Sequence, residues 1–266
     1  MNNFFVKTCV KKYNQAKNFL FKIIKSGKKR KIFIFGLFIF IILVSLIFFW
    51  KNLDRFYSVD SDLEEINMTG LPMYVKHEVL FMSQAPSKQW HSVLYQDACE
   101  EASIIMATHW ITGEKDDVSV GKAEQELEKL FKISKEKHGS SIDMSAEDTA
   151  ELLREYSDSN SVEVVYDATL ENVIRTLADG RIIIVPADGE WLDNKYFAGA
   201  GPERHMVVII GYDYKKKKFI TNDPGTNRGK DFRYTFDNLM SSLRDYQTGK
   251  KLPIDEERRA MIIVGR

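Results

Sequence analysis

Hydrophobic residues divide the chain into an N-terminal apolar run and a longer part of mixed polarity. Residues 32–50, IFIFGLFIFIILVSLIFFW, carry no charged side chain. At about 1.5 Å per residue this run matches the roughly 30 Å hydrocarbon core of a bilayer. Helices in soluble cores keep a polar stripe, and this run has none. The pattern therefore predicts one transmembrane helix. No small-residue cleavage site follows it, which favours a retained anchor over a signal peptide.

After residue 72, apolar residues first recur at helical spacing and later form short continuous runs. Helices are predicted at 99–111, 120–137, 145–156, 169–178 and 237–243. Strands rich in β-branched residues are predicted at 182–185, 206–210, 219–222 and 261–264. Helices followed by an antiparallel sheet indicate an α+β domain. The predicted order is thus a basic arm (1–31), the anchor (32–50), a polar tether (51–72) and one domain (73–266).

The charge distribution predicts the orientation of this anchor. Residues 1–31 contain ten basic residues and no acidic one, a bias that keeps the N-terminus in the cytoplasm and places the domain outside it. Because ten of the 38 basic residues lie in this arm, the chain after the anchor carries 28 basic and 38 acidic residues. A net acidic domain argues against nucleic acid as a partner. The basic arm is suited to anionic lipid instead.

The two cysteines fall on opposite sides of the predicted membrane. Cys9 lies in the cytoplasmic arm and Cys99 in the domain, so Cys99 has no partner within its own chain. A thiol without a partner in its own chain, in an oxidising compartment, is usually lost, paired with another chain or used as a nucleophile, and the alternative is an inert core residue. Cys99 begins a predicted helix, where backbone N–H groups and the helix dipole favour a thiolate. The neighbouring Asp97, Glu100 and Glu101 oppose it, so a cationic partner is required.

His205 and Asp223 are candidates to complete a site with Cys99. His205 directly precedes the apolar run MVVII, and Asp223 follows the next predicted strand of a hairpin. An imidazole fixed at a strand end can act as a base, and a carboxylate can orient its ring. Taken singly, each has a plain structural explanation, since histidines are common at strand edges and Asn-Asp-Pro-Gly is a turn sequence.

Taken together, these segments resemble the papain-like peptidases, most closely the bacteriocin-leader-processing cysteine peptidases (cysteine family thirty-nine). The matching segments are Ser83-Gln-Ala-Pro86, Gln96-Asp-Ala-Cys-Glu-Glu-Ala-Ser103, Gly180-Arg-Ile-Ile-Ile-Val-Pro186, His205-Met-Val-Val-Ile-Ile-Gly-Tyr-Asp213 and Asn222-Asp-Pro224. The resemblance implies a papain-like fold with N-terminal helices packed on an antiparallel sheet. It implies Cys99 as nucleophile, His205 as general base and Asp223 as the residue that orients it. Gln84 is implied as the oxyanion donor, together with the Cys99 N–H.

The chain departs from the family pattern beside the nucleophile, and it offers a second candidate for the oxyanion donor. Many relatives have glycine beside the nucleophile, where this chain has Ala98 and Glu100, so Glu100 is expected to point away from the cleft. Gln96, close to the nucleophile in sequence, is an alternative to Gln84.

The sequence thus predicts thiol-dependent hydrolysis of peptide or protein at the cell surface. No cofactor is expected, and the five histidines show no zinc-binding spacing. Two alternatives stay open. The same triad could serve a cell-wall amidase or transpeptidase, or the domain could bind peptide without catalysis.

Overall fold

The computed structural model describes residues 38–47, 66–114, 116–139, 143–249 and 258–266. The chain divides into two units, Met1–Ser58 and Val59–Arg266. Every element labelled below belongs to the second unit.

Part of the predicted membrane segment is helical. Residues 38–47 form a helix whose side chains are exposed. The rest of that segment (32–37 and 48–50) lies outside the described residues, as do the basic arm and residues 51–65 of the predicted tether. Among the residues that the structure does describe, no helix combines the length and the apolar character needed to cross a bilayer.

Seven helices of the second unit are described, and the longest end in residues with left-handed backbone. They are α1 (Val93–Gln96), α2 (Cys99–Thr112), α3 (Val120–His138), α4 (Ala146–Ser157), α5 (Leu170–Ala178), α6 (Gly189–Leu192) and α7 (Phe236–Ser242). Side-chain caps fix several starts: Ser119, Ser145 and Thr169 each accept a bond from a backbone N–H of the first turn. Asp97 precedes α2 and is of a residue type that often caps helices, but it does not cap this one. The N-cap is Ala98, which makes no side-chain bond, and Asp97 ends α1 instead.

The described strands form one antiparallel sheet. They are β1 (Tyr74–Lys76), β2 (Val162–Tyr166), β3 (Ile182–Ala187), β4 (His205–Asp213), β5 (Lys218–Asn222), β6 (Phe232–Thr235) and β7 (Ala260–Val264). Their order is β2-β7-β3-β4-β5-β6, and β1 pairs with the distal part of β4. Strands β3 and β4 are buried along their whole length, which explains their continuous apolar sequences.

Helices cover both faces of this sheet. On one face, α2 and α4 pack against the sheet and α3 packs on these two helices, in a core that includes the strand residues Ile184, Met206 and Val208. On the other face, α5 and α7 pack against the intervening residues, such as Val185 and Val207. Alternation along each strand separates the two cores, because successive side chains point to opposite faces.

The segment between β1 and α1 runs back across the end of the central strands. The Asn222 amide donates to the carbonyls of Val79 and Leu80 at 3.2 and 3.1 Å. Farther along, the Gln84 backbone N–H donates to the Pro224 carbonyl at 3.0 Å. These bonds hold the segment of Gln84 against the residues that follow β5.

The predicted α+β class with an antiparallel sheet is confirmed, and every helix and strand predicted within residues 73–266 is present. The sequence reading missed the three outer strands β1, β2 and β6 and the short helices α1 and α6. The expected packing of N-terminal helices on the sheet describes one face, and the predicted helices α5 and α7 cover the other.

Candidate active site

Cys99 lies at the first position of α2, on the wall of an open cleft. Its thiol is free and its side chain is only 5% exposed. The cleft has a volume of about 980 Å³, and His205 lines it as well. The first N–H groups of a helix have no carbonyl partner within it, and the helix dipole favours negative charge there. The start of α2 therefore provides donors beside the sulfur.

Strand pairing brings His205 and Asp223 together. In the β4–β5 register Val208 faces Asn222, so Asp223 continues opposite Val207 and lies diagonal to His205. Diagonal neighbours on one face are within reach of long side chains. Here the His205 Nε2 and the Asp223 Oδ1 are 2.7 Å apart. Because Asp223 engages Nε2, the other ring nitrogen, Nδ1, is left for a partner on the cleft side.

Asp223 is fully buried and accepts hydrogen bonds at both carboxylate oxygens. Oδ2 accepts from the Asn194 amide at 2.9 Å and from the Tyr234 hydroxyl at 2.5 Å. Oδ1 accepts from the Gly225 N–H at 2.9 Å as well as from His205. Burial opposes ionisation, but the charge of His205 and these donors outweigh it and lower the pKa of Asp223. The carboxylate is thus held ionised behind the imidazole.

The imidazole itself is held on two further sides. Phe197 meets the ring edge-on, with ring centroids 5.2 Å apart at an interplanar angle of 85°. At Gly225, a Cβ would lie 2.7 Å from the Cε1 atom of His205. Glycine is therefore required for the turn after β5 to approach the ring this closely. The ring orientation is fixed by packing as well as by the bond to Asp223.

Gln84 and Gln96 both line the cleft, but their amides are engaged differently. The Gln84 Nε2 donates to the carbonyls of Tyr95 and Gln96 at 2.9 and 2.8 Å, which uses both of its hydrogens. Its Oε1 is buried without a partner. The Gln96 Nε2 donates to the Trp90 carbonyl at 3.0 Å. In this arrangement the Gln84 amide has no hydrogen left for an oxyanion.

Glu100 does not line the cleft, in agreement with the expectation that it points away from it. Its buried carboxylate nevertheless contacts the thiol, because the Cys99 Sγ–H donates to Oε2 at 3.1 Å. Burial and the negative charge of Glu100 raise the pKa of Cys99 well above its ordinary value. The helix-start effect on the thiol is therefore outweighed.

One group of side chains among the described residues has the geometry to hold a cation. It consists of His138, Asp148 and Glu151, and Lys137 already pairs with Glu151 at 2.9 Å. None of the three lines the cleft of Cys99 and His205.

A cysteine at a helix start that shares a cleft with a histidine held by a buried aspartate, on an α+β sheet, defines a papain-like cysteine hydrolase. The family comparison agrees with this class. Residues 76–252, about two thirds of the chain, match the model of the Peptidase C39-like family. The chain belongs to this family and is a cysteine-peptidase-like hydrolase, as the resemblance predicted.

Two of the solved structures that are similar to the chain show how distant the likeness is. One is a putative C39-like peptidase from Bacillus anthracis, 16% identical, with a TM-score of 0.44, covering 73% of this chain and 98% of that one. The other is xylellain, a cysteine protease from Xylella fastidiosa, 12% identical, with a TM-score of 0.31, covering 76% of this chain and 90% of that one. No curated protein matched the sequence significantly.

The structure thus places Cys99, His205 and Gln84 at one cleft with Asp223 behind His205. Sequence reasoning did not identify Asn194 or Tyr234. Asn194 lies in the loop after α6, and Tyr234 is an alternating residue of the edge strand β6. Neither position carries a local signal, because only the fold brings them to Asp223.

Tyr234→Phe is expected to slow hydrolysis about tenfold, because Asp223 loses a donor and holds His205 less firmly. The free energy of unfolding should fall by about 1–2 kcal/mol. Tyr212→Phe is the matched control, since Tyr212 is equally buried and its hydroxyl donates to the Pro72 carbonyl at 2.7 Å. Thermal unfolding and hydrolysis rates are measured for both variants. Equal rates in the two would contradict a role for Tyr234 at the site.

Proposed function

We propose that this protein is a membrane-anchored cysteine peptidase that hydrolyses peptide bonds outside the cytoplasm. The observation that carries the proposal is the shared cleft of Cys99 and His205, with Asp223 at 2.7 Å behind the imidazole. The cleft is open to solvent, as a site for extended peptide requires, and Trp90 and Phe197 line it as apolar walls.

The proposed mechanism uses both ring nitrogens of His205, with Nε2 bonded to Asp223 and Nδ1 available to the thiol. Cys99 Sγ attacks the carbonyl carbon of the substrate while its proton passes to Nδ1 of His205. The imidazolium, stabilised by Asp223, then protonates the leaving amine, and a thioester remains on Cys99. Water attacks the thioester with His205 as base, the acid product leaves, and the proton returns to sulfur. Because burial keeps the thiol protonated, His205 removes its proton during attack rather than beforehand.

The oxyanion requires donors at the start of α2. The Cys99 N–H is the first, and Gln84 is the proposed second, in line with the family resemblance. Gln84 must then give up one of its two carbonyl partners when substrate binds. A buried, unpartnered Oε1 makes this side chain less tightly held than a fully bonded amide.

The triad alone also suits amide hydrolysis or transpeptidation in the cell wall, because the bond broken is again an amide. A peptide-binding domain without catalysis would not need the ordered set of donors on Asp223.

Peptide cleavage tests the proposal directly. The full-length chain in mild detergent is expected to cleave a mixture of unstructured peptides, and Cys99→Ala should abolish this, because it removes the nucleophile. His205→Ala should reduce the rate at least about a hundredfold. Products are identified by mass spectrometry. Cleavage of purified wall fragments without cleavage of any peptide would assign the protein to the cell-wall alternative, and retained cleavage in Cys99→Ala would refute the mechanism.

The two glutamines are compared in the same assay. Gln84→Ala is expected to lower kcat by about 10²-fold or more with little change in KM, the effect of losing one oxyanion donor. Gln96→Ala, which removes an amide bound to the Trp90 carbonyl, is expected to change kcat by less than about threefold. The reverse ranking would assign the oxyanion to Gln96.

Anchoring is supported by the uncharged run 32–50 and the ten basic residues before it. The chain is expected to sediment with membranes after alkaline carbonate extraction, and removal of residues 1–50 should release it. A C-terminal epitope tag should be accessible to added protease in cells whose wall has been removed. Protection of that tag would contradict the proposed orientation.

A further inference from the structure

Glu100 is a buried carboxylate in direct contact with the nucleophile. Its side chain is 1% exposed, and its two oxygens face different donors. Oε2 accepts the Cys99 S–H at 3.1 Å. Oε1 accepts the Tyr246 hydroxyl at 2.7 Å and the Met144 N–H at 3.3 Å. Since a carboxylate acts only as an acceptor when ionised, three converging donors describe a site built for its charged form.

The contacts of Glu100 among the described residues include no cation: they are a thiol, a phenol and a backbone N–H. The nearby Glu101 and Asp143 are acidic, and Arg204 pairs with Asp143 at 3.7 Å. From β4, the Met206 N–H faces the sulfur. Burial raises the pKa of Glu100, and the bonds from Tyr246 and Cys99 oppose this. The charge on Glu100 therefore depends in part on the thiol proton.

We propose that Glu100 is a positioning residue that holds Cys99 in a resting state, with its S–H directed at the carboxylate and away from His205. The inference rests on the proposed role of Cys99 as nucleophile. In the resting state Sγ keeps its proton, because a thiolate would stand 3.1 Å from a second anion. Catalysis then begins with rotation of the S–H from Glu100 toward Nδ1 of His205, to which the proton passes as the S–C bond forms.

Glu101 allows the contact between Glu100 and the thiol to be distinguished from the general effect of a buried acidic residue near Cys99. Glu101 is fully buried, adjacent in sequence, and both of its oxygens are without a hydrogen-bond partner. It differs from Glu100 in making no bond to the sulfur. Glu101→Gln is thus a matched control for Glu100→Gln, since each replaces one buried carboxyl of α2 by an amide of the same size.

The test measures the alkylation rate of Cys99 by iodoacetamide against pH in the full-length chain with Cys9→Ser, which leaves a single cysteine. In the parent chain, the pH at which the alkylation rate reaches half its maximum, the midpoint, is expected to lie above that of the same thiol in the urea-unfolded chain. Glu100→Gln should move the midpoint to lower pH and accelerate alkylation near neutral pH about tenfold or more, because the charge is gone and the amide can donate to a thiolate. Glu101→Gln should change this rate by less than about threefold.

Two results would overturn the inference: a parent midpoint at or below that of the unfolded chain, or an equal effect of the two glutamine substitutions. The first comparison needs no variant at position 100, so it decides the matter even if Glu100→Gln fails to fold. Alkylation uses no substrate. If Glu100→Gln shifts the alkylation midpoint but no variant cleaves peptide, the peptidase proposal is rejected and the resting contact is kept. If the protein cleaves peptide but the midpoint in Glu100→Gln is unshifted, the peptidase proposal is kept and the resting contact is rejected.

Discussion

The pairing of β4 with β5 is the constraint on which the site depends. It places His205 at the start of one buried strand and Asp223 just past the end of its neighbour, on the same face and 2.7 Å apart. Both strands lie in the middle of the sheet, with helices on each face. A shift of the register by one residue would turn every side chain of β5 to the opposite face. The register that packs the two cores therefore also aligns the imidazole.

Everything else at Asp223 is arranged to keep a buried charge ionised. An isolated carboxylate in this position would be costly, and it persists because four donors from different parts of the chain meet it. Asn194 and Tyr234 also bond to each other, at 2.7 Å, so the donors form a connected network. The negative end of the triad is thus fully bonded, and the orientation of His205 follows from it.

The surroundings of Cys99 have the opposite character. Glu100 and Glu101 lie buried beside Cys99 with no cation among their contacts in the described part of the chain, and burial together with Glu100 raises the pKa of the thiol. A helix start alone would lower it. Here desolvation and a neighbouring carboxylate outweigh the dipole, because the dipole supplies only about half a charge whereas Glu100 supplies up to a full one at contact distance.

The sequence predicted the elements whose signals are local and missed those that depend on the fold. The caps Ser145 and Thr169 and the continuous β3 and β4 runs were sufficient to place helices and strands within one or two residues, except that β4 continues three residues past its predicted end. β2 and β6 are short and half-exposed, so their alternation was too weak to distinguish from loop. Cys99, His205 and Asp223 could be found from their order along the chain. The contact of the Glu100 carboxylate with the thiol could not, because Tyr246 and Met144, which bond its other oxygen, are distant in sequence.

The contact between Glu100 and the thiol also bears on the proposed location of the domain. Oxidation of cysteine follows its thiolate character and its exposure. A preformed thiolate outside the cytoplasm would be exposed to oxidants without a reducing pool to restore it. Cys99 is 5% exposed and its proton is held by a neighbouring carboxylate, so both determinants of oxidation are reduced in the resting site. In the proposed mechanism the cost is a slower nucleophile, and His205, fixed by Asp223, offsets it once a substrate is present to be attacked.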